Sequence, residues 1–266
     1  MDKVKKLTFA LSKRKRFIIT SIILSFGFIA VQLFGENFRF ASISTLSALT
    51  VILFIWALFE GLGLNWTLLT LVLPFLFTLG VGLFWFLLPA NVFARIPIVL
   101  FYGAGIYSLC LTANIYTVSA IRTIALFRAA RGVGFVLTLI TSFLLFDTIL
   151  SLRSTFTINS LLILTVSFAL FLQGFWVVIL SKEFNKSLLV FTLISSLIIS
   201  QVAMGLFFWP VTVAVGSLFL TVALYMLLGL GQAQVETRLF PQTIREYLLV
   251  GLLVFIGMFI ATRWGA

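Results

Sequence analysis

Residues 114–153 read NIYTVSAIRTIALFRAARGVGFVLTLITSFLLFDTILSLR, and this stretch decides how the rest of the chain is threaded. Its first half carries Arg122, Arg128 and Arg131 and no acidic residue. Its second half is an apolar run long enough to cross hydrocarbon, interrupted by one carboxylate, Asp147. Because basic connections between spans stay in the cytoplasm, the three arginines predict which end of the following span faces inward.

The composition is that of a membrane protein. Hydrophobic side chains make up 62% of the 266 residues, charged side chains make up 9%, and the mean hydropathy is +1.24. A soluble domain needs about 25% charged residues to solvate its surface. We therefore predict an all-α polytopic transmembrane helical bundle in the cell membrane, without a soluble domain.

The net charge of +11 is also explained by the membrane. In a soluble protein such an excess would indicate nucleic acid, which we do not expect here. In a polytopic chain it marks cytoplasmic loops that contact anionic lipid head groups. The predicted partners are therefore the bilayer and these head groups, and a protein partner or an oligomer is left open.

The lengths of the apolar runs predict about nine spans. A basic cytoplasmic segment over residues 1–16 precedes a single transmembrane helical domain over residues 17–266. The predicted spans are residues 17–35, 41–60, 67–88, 96–118, 132–151, 158–180, 187–207, 211–231 and 247–262.

The distribution of basic residues predicts that the N-terminus is cytoplasmic. With that orientation, the connections on the inner side hold most of the lysines and arginines, as the positive-inside rule requires. The basic residues of the outer segments are four arginines, namely Arg39, Arg95, Arg153 and Arg263.

The connections between spans carry their own predictions. No Gly or Pro interrupts residues 106–131, so the fourth helix is expected to be able to continue unbroken to Arg131. At Trp209-Pro210 we expect a tight turn, because proline lacks a backbone donor and favours a helix start. The mixed-charge stretch around Pro241 is interpreted as a solvated loop that leads into the last span.

Two segments of the central stretch resemble known sequences. The order NIYTVSAIRTIALFRAARGVGF over residues 114–135, followed by FLLFDTILSLR over residues 143–153, resembles uncharacterised multi-span membrane proteins predicted from bacterial genomes. The resemblance implies no activity, because none is attached to such proteins.

Three polar residues are predicted to reach a similar depth in the outer half of the bilayer. Asp147, Gln32 and Gln201 lie about 22 Å from the cytoplasmic ends of their spans, at 1.5 Å per residue. One hypothesis is that they face one another, with Asp147 as the polar centre of an outward-facing cavity. The alternative is that Asp147 lies at the head-group boundary and pairs with an arginine such as Arg95 or Arg153.

Glu60 and the central arginines are the candidates at the inner face. Glu60 lies in an inner connection without a basic residue. It is predicted either to pair with Arg122, Arg128 or Arg131, or to be a solvated loop acid, since exposed pairs contribute little. The same arginines are the candidates for binding an anionic lipid head group.

The seventh span carries a small-residue pattern. Thr192, Ser196 and Ser200 recur every four residues, so they share one face of a helix. Small residues at this spacing let helix backbones approach, and their hydroxyls can bond across the contact. We interpret this face as a packing surface.

Missing residue types exclude several chemistries. The chain has no His, which excludes histidine metal ligation and Ser–His or Cys–His catalysis, and the single Cys110 excludes an intrachain disulfide. It also lacks a phosphate-binding loop, a dinucleotide fingerprint and an HExxH motif. We predict no cofactor and no metal site.

Three functions stay open. The favoured one is a non-enzymatic membrane component that acts through helix, lipid or partner contacts, because no catalytic constellation is present. The second is a small-solute transporter or permease with a polar site near Asp147. The third is a membrane enzyme acting on lipid-linked anionic substrates, with the central arginines binding the head group and Asp147 or Glu60 as base.

Overall fold

The computed structural model describes residues 12–31, 38–63, 66–88, 92–120, 125–180 and 186–262. Over these residues the chain forms nine α-helices and no strand, so the predicted all-α fold is confirmed. The helices are α1 (Lys13–Val31), α2 (Arg39–Leu58), α3 (Val72–Trp85), α4 (Val92–Ser119), α5 (Phe127–Ser151), α6 (Phe156–Ile179), α7 (Lys186–Phe207), α8 (Val213–Val235) and α9 (Pro241–Ala261), and a 3-10 helix (Trp66–Leu71) leads into α3.

Eight helical segments in the described ranges are long and apolar enough to cross a membrane: α2, α4 to α9, and Thr67–Trp85, which combines the 3-10 helix with α3. Large apolar side chains such as Phe26, Leu100 and Ile260 are exposed, a surface that hydrocarbon solvates and water does not. The chain is therefore an integral membrane protein. α1 differs because its first turn is the basic run Lys13–Arg16, and its crossing of the membrane stays a prediction.

Two compact units divide the chain, residues 1–134 and residues 135–266. The first unit contains α1 to α4 and the start of α5. The second contains the rest of α5 and α6 to α9. That residues 17–266 act as one domain stays a prediction.

A hydrogen-bonded chain of hydroxyls lies in the core of the first unit. Thr50 donates its proton to the carbonyl of Leu46 at 2.9 Å, so Thr78, at 3.1 Å, must donate to Thr50. By the same reasoning Tyr102, at 3.2 Å, donates to Thr78. The Tyr102 ring also stacks on Phe28 at 4.8 Å between centroids. This chain joins α2, α3 and α4, and the aromatic stack adds α1.

Close helix packing organises the second unit. The Thr192, Ser196 and Ser200 face of α7 is buried, and Ser200 Oγ donates to the carbonyl of Ser160 on α6 at 2.9 Å. The prediction of a packing surface is confirmed, but only Ser200 bonds across it, because the hydroxyls of Thr192 and Ser196 donate to carbonyls of α7 itself. On α8, Gln232 Nε2 donates to the Gly174 carbonyl at 2.9 Å, which joins α6 to α8.

The prediction that the fourth helix can continue unbroken to Arg131 is wrong. α4 ends at Ser119 and α5 begins at Phe127. The Tyr116 hydroxyl donates to the Ala130 carbonyl at 2.9 Å, and the Tyr116 ring meets Phe127 edge-on. These contacts fold the start of α5 back beside the end of α4. Tertiary packing therefore ends the helix where no Gly or Pro does.

The start of the last helix is also earlier than expected. α9 begins at Pro241, so residues 236–240 form a connection as predicted, whereas residues 241–246 of the same stretch form the first turns of α9, where Gln242 Nε2 donates to Glu246 Oε1 at 3.0 Å. Apolar run length reports only the part of a helix that lies in hydrocarbon. The turn at Trp209-Pro210 is confirmed, since α7 ends at Phe207 and α8 begins at Val213.

Candidate functional site

An ionic cluster joins the start of α1 to the end of α2 in the first unit. Glu60, just beyond α2, accepts from Arg16 Nη2 at 2.5 Å and from Lys13 Nζ at 2.8 Å. The Arg16 side chain is only 2% exposed, whereas Glu60 and Lys13 are each 44% exposed. A buried cation needs an opposite charge, so Glu60 supplies the neutralisation that Arg16 requires.

The same contacts change the ionisation of Glu60. The hydrogen bond from Lys13, then that from Arg16, holds the pKa of Glu60 below its ordinary value. The carboxylate is therefore a weak base and a stable ion-pair partner.

Among the described residues, Glu60 pairs with neither Arg128 nor Arg131, and its pairing with Arg122 stays a prediction. Arg128 is exposed in the first turn of α5, and Arg131 is half-buried one turn later. Arg122 lies outside the described residues. Glu60 is held instead by the basic turn of α1, so it joins the first two helices, and it is not a simple solvated acid.

Sequence reasoning missed Arg16 as a buried residue, although a signal for it was present. Arg16, Thr20, Leu24 and Phe28 are all buried and lie four residues apart, so one face of α1 is packed. The Nε of Arg16 and the Oγ1 of Thr20 are buried on this face without a hydrogen-bond partner among the described residues.

In the second unit, Asp147 is buried in α5 and accepts a hydrogen bond from Ser217 on α8 at 3.1 Å. The same hydroxyl lies 3.0 Å from the carbonyl of Ala214, so its single proton is shared between two acceptors. Asp147 is 8% exposed. A carboxylate inside a span is costly and needs such partners.

The predicted neighbours of Asp147 whose side chains the structure describes do not contact it. Gln201 is on an exposed face of α7, so its side chain and the buried Asp147 do not form one polar cluster. Gln32 lies outside the described residues, and the side chain of Arg95 does as well. Arg153 is exposed just beyond α5 and makes no ion pair with a described residue, so its pairing with Asp147 is wrong.

Two cavities lie at opposite ends of α6. The large groove has a volume of about 520 Å³ and lies where α6 ends, α7 begins and α8 ends. It is lined by Phe175, Ile179, Ser187, Leu188, Phe191, Gln234 and Val235.

The small cavity has a volume of about 280 Å³ and lies where α6 begins, between the end of α5 and the turn that joins α7 to α8. It is lined by Leu150, Arg153, Asn159, Leu206, Phe207, Trp209, Val211, Thr212, Val213 and Gly216. No sequence pattern marks either cavity, because each is formed by residues from three or more separate segments.

The polar groups of the described ranges do not form a metal centre. No group of three or more Cys, Asp or Glu lies close enough there to hold an ion. Among the features described above, these residues offer charge pairing at Glu60, hydrogen bonding at Asp147, and the cavities at the two ends of α6.

A family model described as a protein of unknown function, DUF5656, matches residues 25–261. The chain belongs to this family. The DUF5656 match includes both cavities, Glu60 and the Asp147–Ser217 pair, and it begins after Lys13 and Arg16. No curated protein and no solved structure matches the chain. The resemblance to proteins without an assigned activity is confirmed, and their bacterial origin stays a prediction.

Proposed function

We propose that the protein is a non-enzymatic component of the cell membrane that binds anionic lipid at its cytoplasmic face. The observation that carries this proposal is the large groove. Its volume of about 520 Å³ lies within the range of sites that hold small organic ligands, roughly 300–1,000 Å³.

The lining of the groove suits an amphiphile. Phe175, Leu188 and Phe191 provide an apolar wall, and the Phe175 and Phe191 rings meet edge-on at 5.4 Å. Ser187 and Gln234 are exposed polar residues of the same lining. An acyl chain would pack on the aromatic wall while its polar end stays beside the hydroxyl and the amide.

Charge favours an anionic head group. Lys186, the first residue of α7, is exposed and precedes Ser187 in the chain. With a cytoplasmic N-terminus, this end of α7 faces the leaflet that carries anionic lipid, which attracts basic residues at the membrane surface.

The experiment compares lipid binding by native mass spectrometry of protein released from nanodiscs that contain phosphatidylglycerol or phosphatidylcholine. The wild type is expected to retain phosphatidylglycerol in preference to phosphatidylcholine. Ile179→Trp, which fills the groove, is expected to reduce this retention about tenfold. Its matched control is Leu193→Trp on an exposed face of α7.

The head-group contact has its own pair of variants. Lys186→Gln is expected to remove most of the preference for the anionic lipid, because it deletes the positive charge nearest to the groove in sequence. Arg245→Gln removes an exposed positive charge of α9 and is expected to leave the preference unchanged. Equal retention by the wild type, Ile179→Trp and Lys186→Gln would contradict the proposal.

A second candidate function, a small-solute permease, is favoured by the buried Asp147–Ser217 pair. A carboxylate inside a span is often part of a solute or ion path. The test is Ser217→Cys in a Cys110→Ser background, reacted with a water-soluble maleimide. A permease is favoured if the maleimide labels Cys at position 217 and if the additional change Asp147→Asn alters the rate of this labelling. If the thiol stays unreactive in intact vesicles, the result argues against a permease.

Neither candidate uses Glu60 as a base. Its carboxylate is engaged by two cations, which lowers its basicity. This favours a role in structure over the enzyme hypothesis.

A further inference from the structure

The small cavity contains a hydrogen-bond acceptor that nothing in the described chain satisfies. Asn159, in the first turn of α6, is 5% exposed and lines the cavity. Its Oδ1 is buried and accepts no hydrogen bond from a described residue. Leaving a buried amide oxygen unsatisfied costs about 1–3 kcal/mol, so a ligand that supplies a donor would offset this cost.

The same cavity is lined by a cation without a counter-charge. Arg153 follows α5, its side chain is exposed, and it forms no ion pair with a described residue. A guanidinium presents several N–H donors in one plane, which matches the oxygens of a phosphate or a carboxylate.

Part of the wall of the small cavity is an aromatic side chain that its neighbours hold in place. Trp209 lines the cavity, and its Nε1 donates to Thr262 Oγ1 at 2.8 Å, which holds the indole in place. The Trp209 ring also meets Phe255 and Phe259 edge-on. Aromatic residues of this kind are enriched at the level of lipid head groups.

From this arrangement we propose that the small cavity binds a compact anion that also carries a hydrogen-bond donor, with phosphoglycerol as the model chemistry. The anionic oxygens bind the Arg153 guanidinium, and a hydroxyl of the ligand donates to Asn159 Oδ1. The volume of about 280 Å³ admits a group of this size and no more than the start of an acyl chain. This site is separate from the large groove and does not depend on the lipid-binding proposal.

Two probes distinguish the sources of this chemistry. Free glycerol 3-phosphate is titrated by calorimetry into the protein in phosphatidylcholine nanodiscs. Phosphatidylglycerol is offered in mixed nanodiscs and counted by native mass spectrometry, with Ile179→Trp as the background so that the large groove is filled. Saturable binding in the first experiment identifies a free solute, and binding only in the second identifies a lipid head group.

Arg153→Gln is expected to weaken binding at least about tenfold, because a hydrogen bond to a charged group is lost. Asn159→Leu has nearly the same shape and removes the acceptor, so a similar loss of binding is expected. Because the unsatisfied amide is gone, the melting temperature of Asn159→Leu should not fall. Arg245→Gln removes an exposed positive charge of α9 that does not line the small cavity, so it is the control and should bind like the wild type.

Absence of binding in both experiments would overturn the proposal. Binding that Arg153→Gln leaves unchanged would overturn it as well, and this variant changes an exposed side chain, so it leaves the fold intact. If the large groove proves not to bind lipid, the calorimetric experiment still decides the small cavity, because it uses no anionic lipid.

Discussion

At the scale of single residues, Arg16 is the side chain whose environment is most demanding. It is almost fully buried, and its charge is neutralised by Glu60. We predict that Glu60→Gln lowers the free energy of unfolding by about 1–2 kcal/mol, which is less than for a fully buried pair because Glu60 is half-exposed. Chemical unfolding of the protein in mixed micelles measures this loss.

Lys13→Gln is the matched control for Glu60→Gln. Lys13 contacts the same carboxylate but is itself exposed, so its loss should change the free energy of unfolding by less than about 1 kcal/mol. A larger effect for Lys13→Gln than for Glu60→Gln would show that the burial of Arg16 does not control the cluster.

The ionic cluster also predicts a pH dependence. The pKa of Glu60 is lowered in the folded protein, so the unfolded state binds a proton more readily. The stabilising contribution is therefore complete above the ordinary pKa of a glutamate and is lost as the pH falls through that value towards the lowered one. Melting temperatures of wild type and Glu60→Gln should converge over this acidic range, and a constant difference would count against the ion pair.

Arg153 carries a backbone conformation that its side chain does not favour. Its φ of 46° lies in the left-handed region, which costs a residue with a Cβ about 1–2 kcal/mol relative to glycine. We predict that Arg153→Gly raises the free energy of unfolding by about 1 kcal/mol while abolishing anion binding in the small cavity. Arg153→Ala removes the same charge and keeps the strain, so it should not be stabilised.

At the scale of elements, the contact between α6 and α7 depends on small side chains. Ser196 is fully buried on the α7 face that packs against α6 through Ser200. Ser196→Leu should lower the free energy of unfolding by about 1–3 kcal/mol, because the helices cannot move apart without losing other contacts. Val190→Leu, on an exposed face of α7, should have no effect in the same mixed-micelle measurement.

The sequence predicts the helices better than it predicts where they end. Apolar run length locates every helix because hydrocarbon demands a stretch of about twenty apolar residues. It cannot locate the break between Ser119 and Phe127, which depends on Tyr116 reaching the Ala130 carbonyl. It also misses the polar first turns of α9, because those turns are helical without being apolar.

The polar sites were predictable only in part. Asp147 is evident from sequence as the lone carboxylate of an apolar run, but its partner Ser217 is seventy positions away. Glu60 was recognisable as an acid without a local cation, and its partners lie on α1. Depth along a helix follows from residue counting, whereas the face of a helix that meets a neighbour depends on packing. For that reason residue counting assigns Gln201 and Asp147 a similar depth, although the Gln201 side chain is exposed and the Asp147 side chain is buried.

At the scale of the whole molecule, the orientation of the chain is the prediction on which the lipid-binding proposal depends. We expect a tag attached at residue 1 and a cysteine that replaces Arg128 to be accessible to reagents from the same compartment, because both positions belong to basic segments. A cysteine replacing Arg153 should react from the opposite compartment. The measurement is labelling of inside-out and right-side-out vesicles, with Cys110 replaced by serine.

Of the candidate spans that the structure describes, the last helix is the least buried. Only 6% of the α9 span is buried, and the Trp209–Thr262 hydrogen bond fastens one end of it. Its 21 residues measure about 32 Å along the axis, slightly more than the roughly 30 Å of a hydrocarbon layer. In a thinner bilayer a helix relieves this mismatch by tilting. Because α9 is the least buried of the described spans, its packing opposes the tilt least. Membrane thickness should therefore set the inclination of α9, with its tryptophan-held end as the pivot.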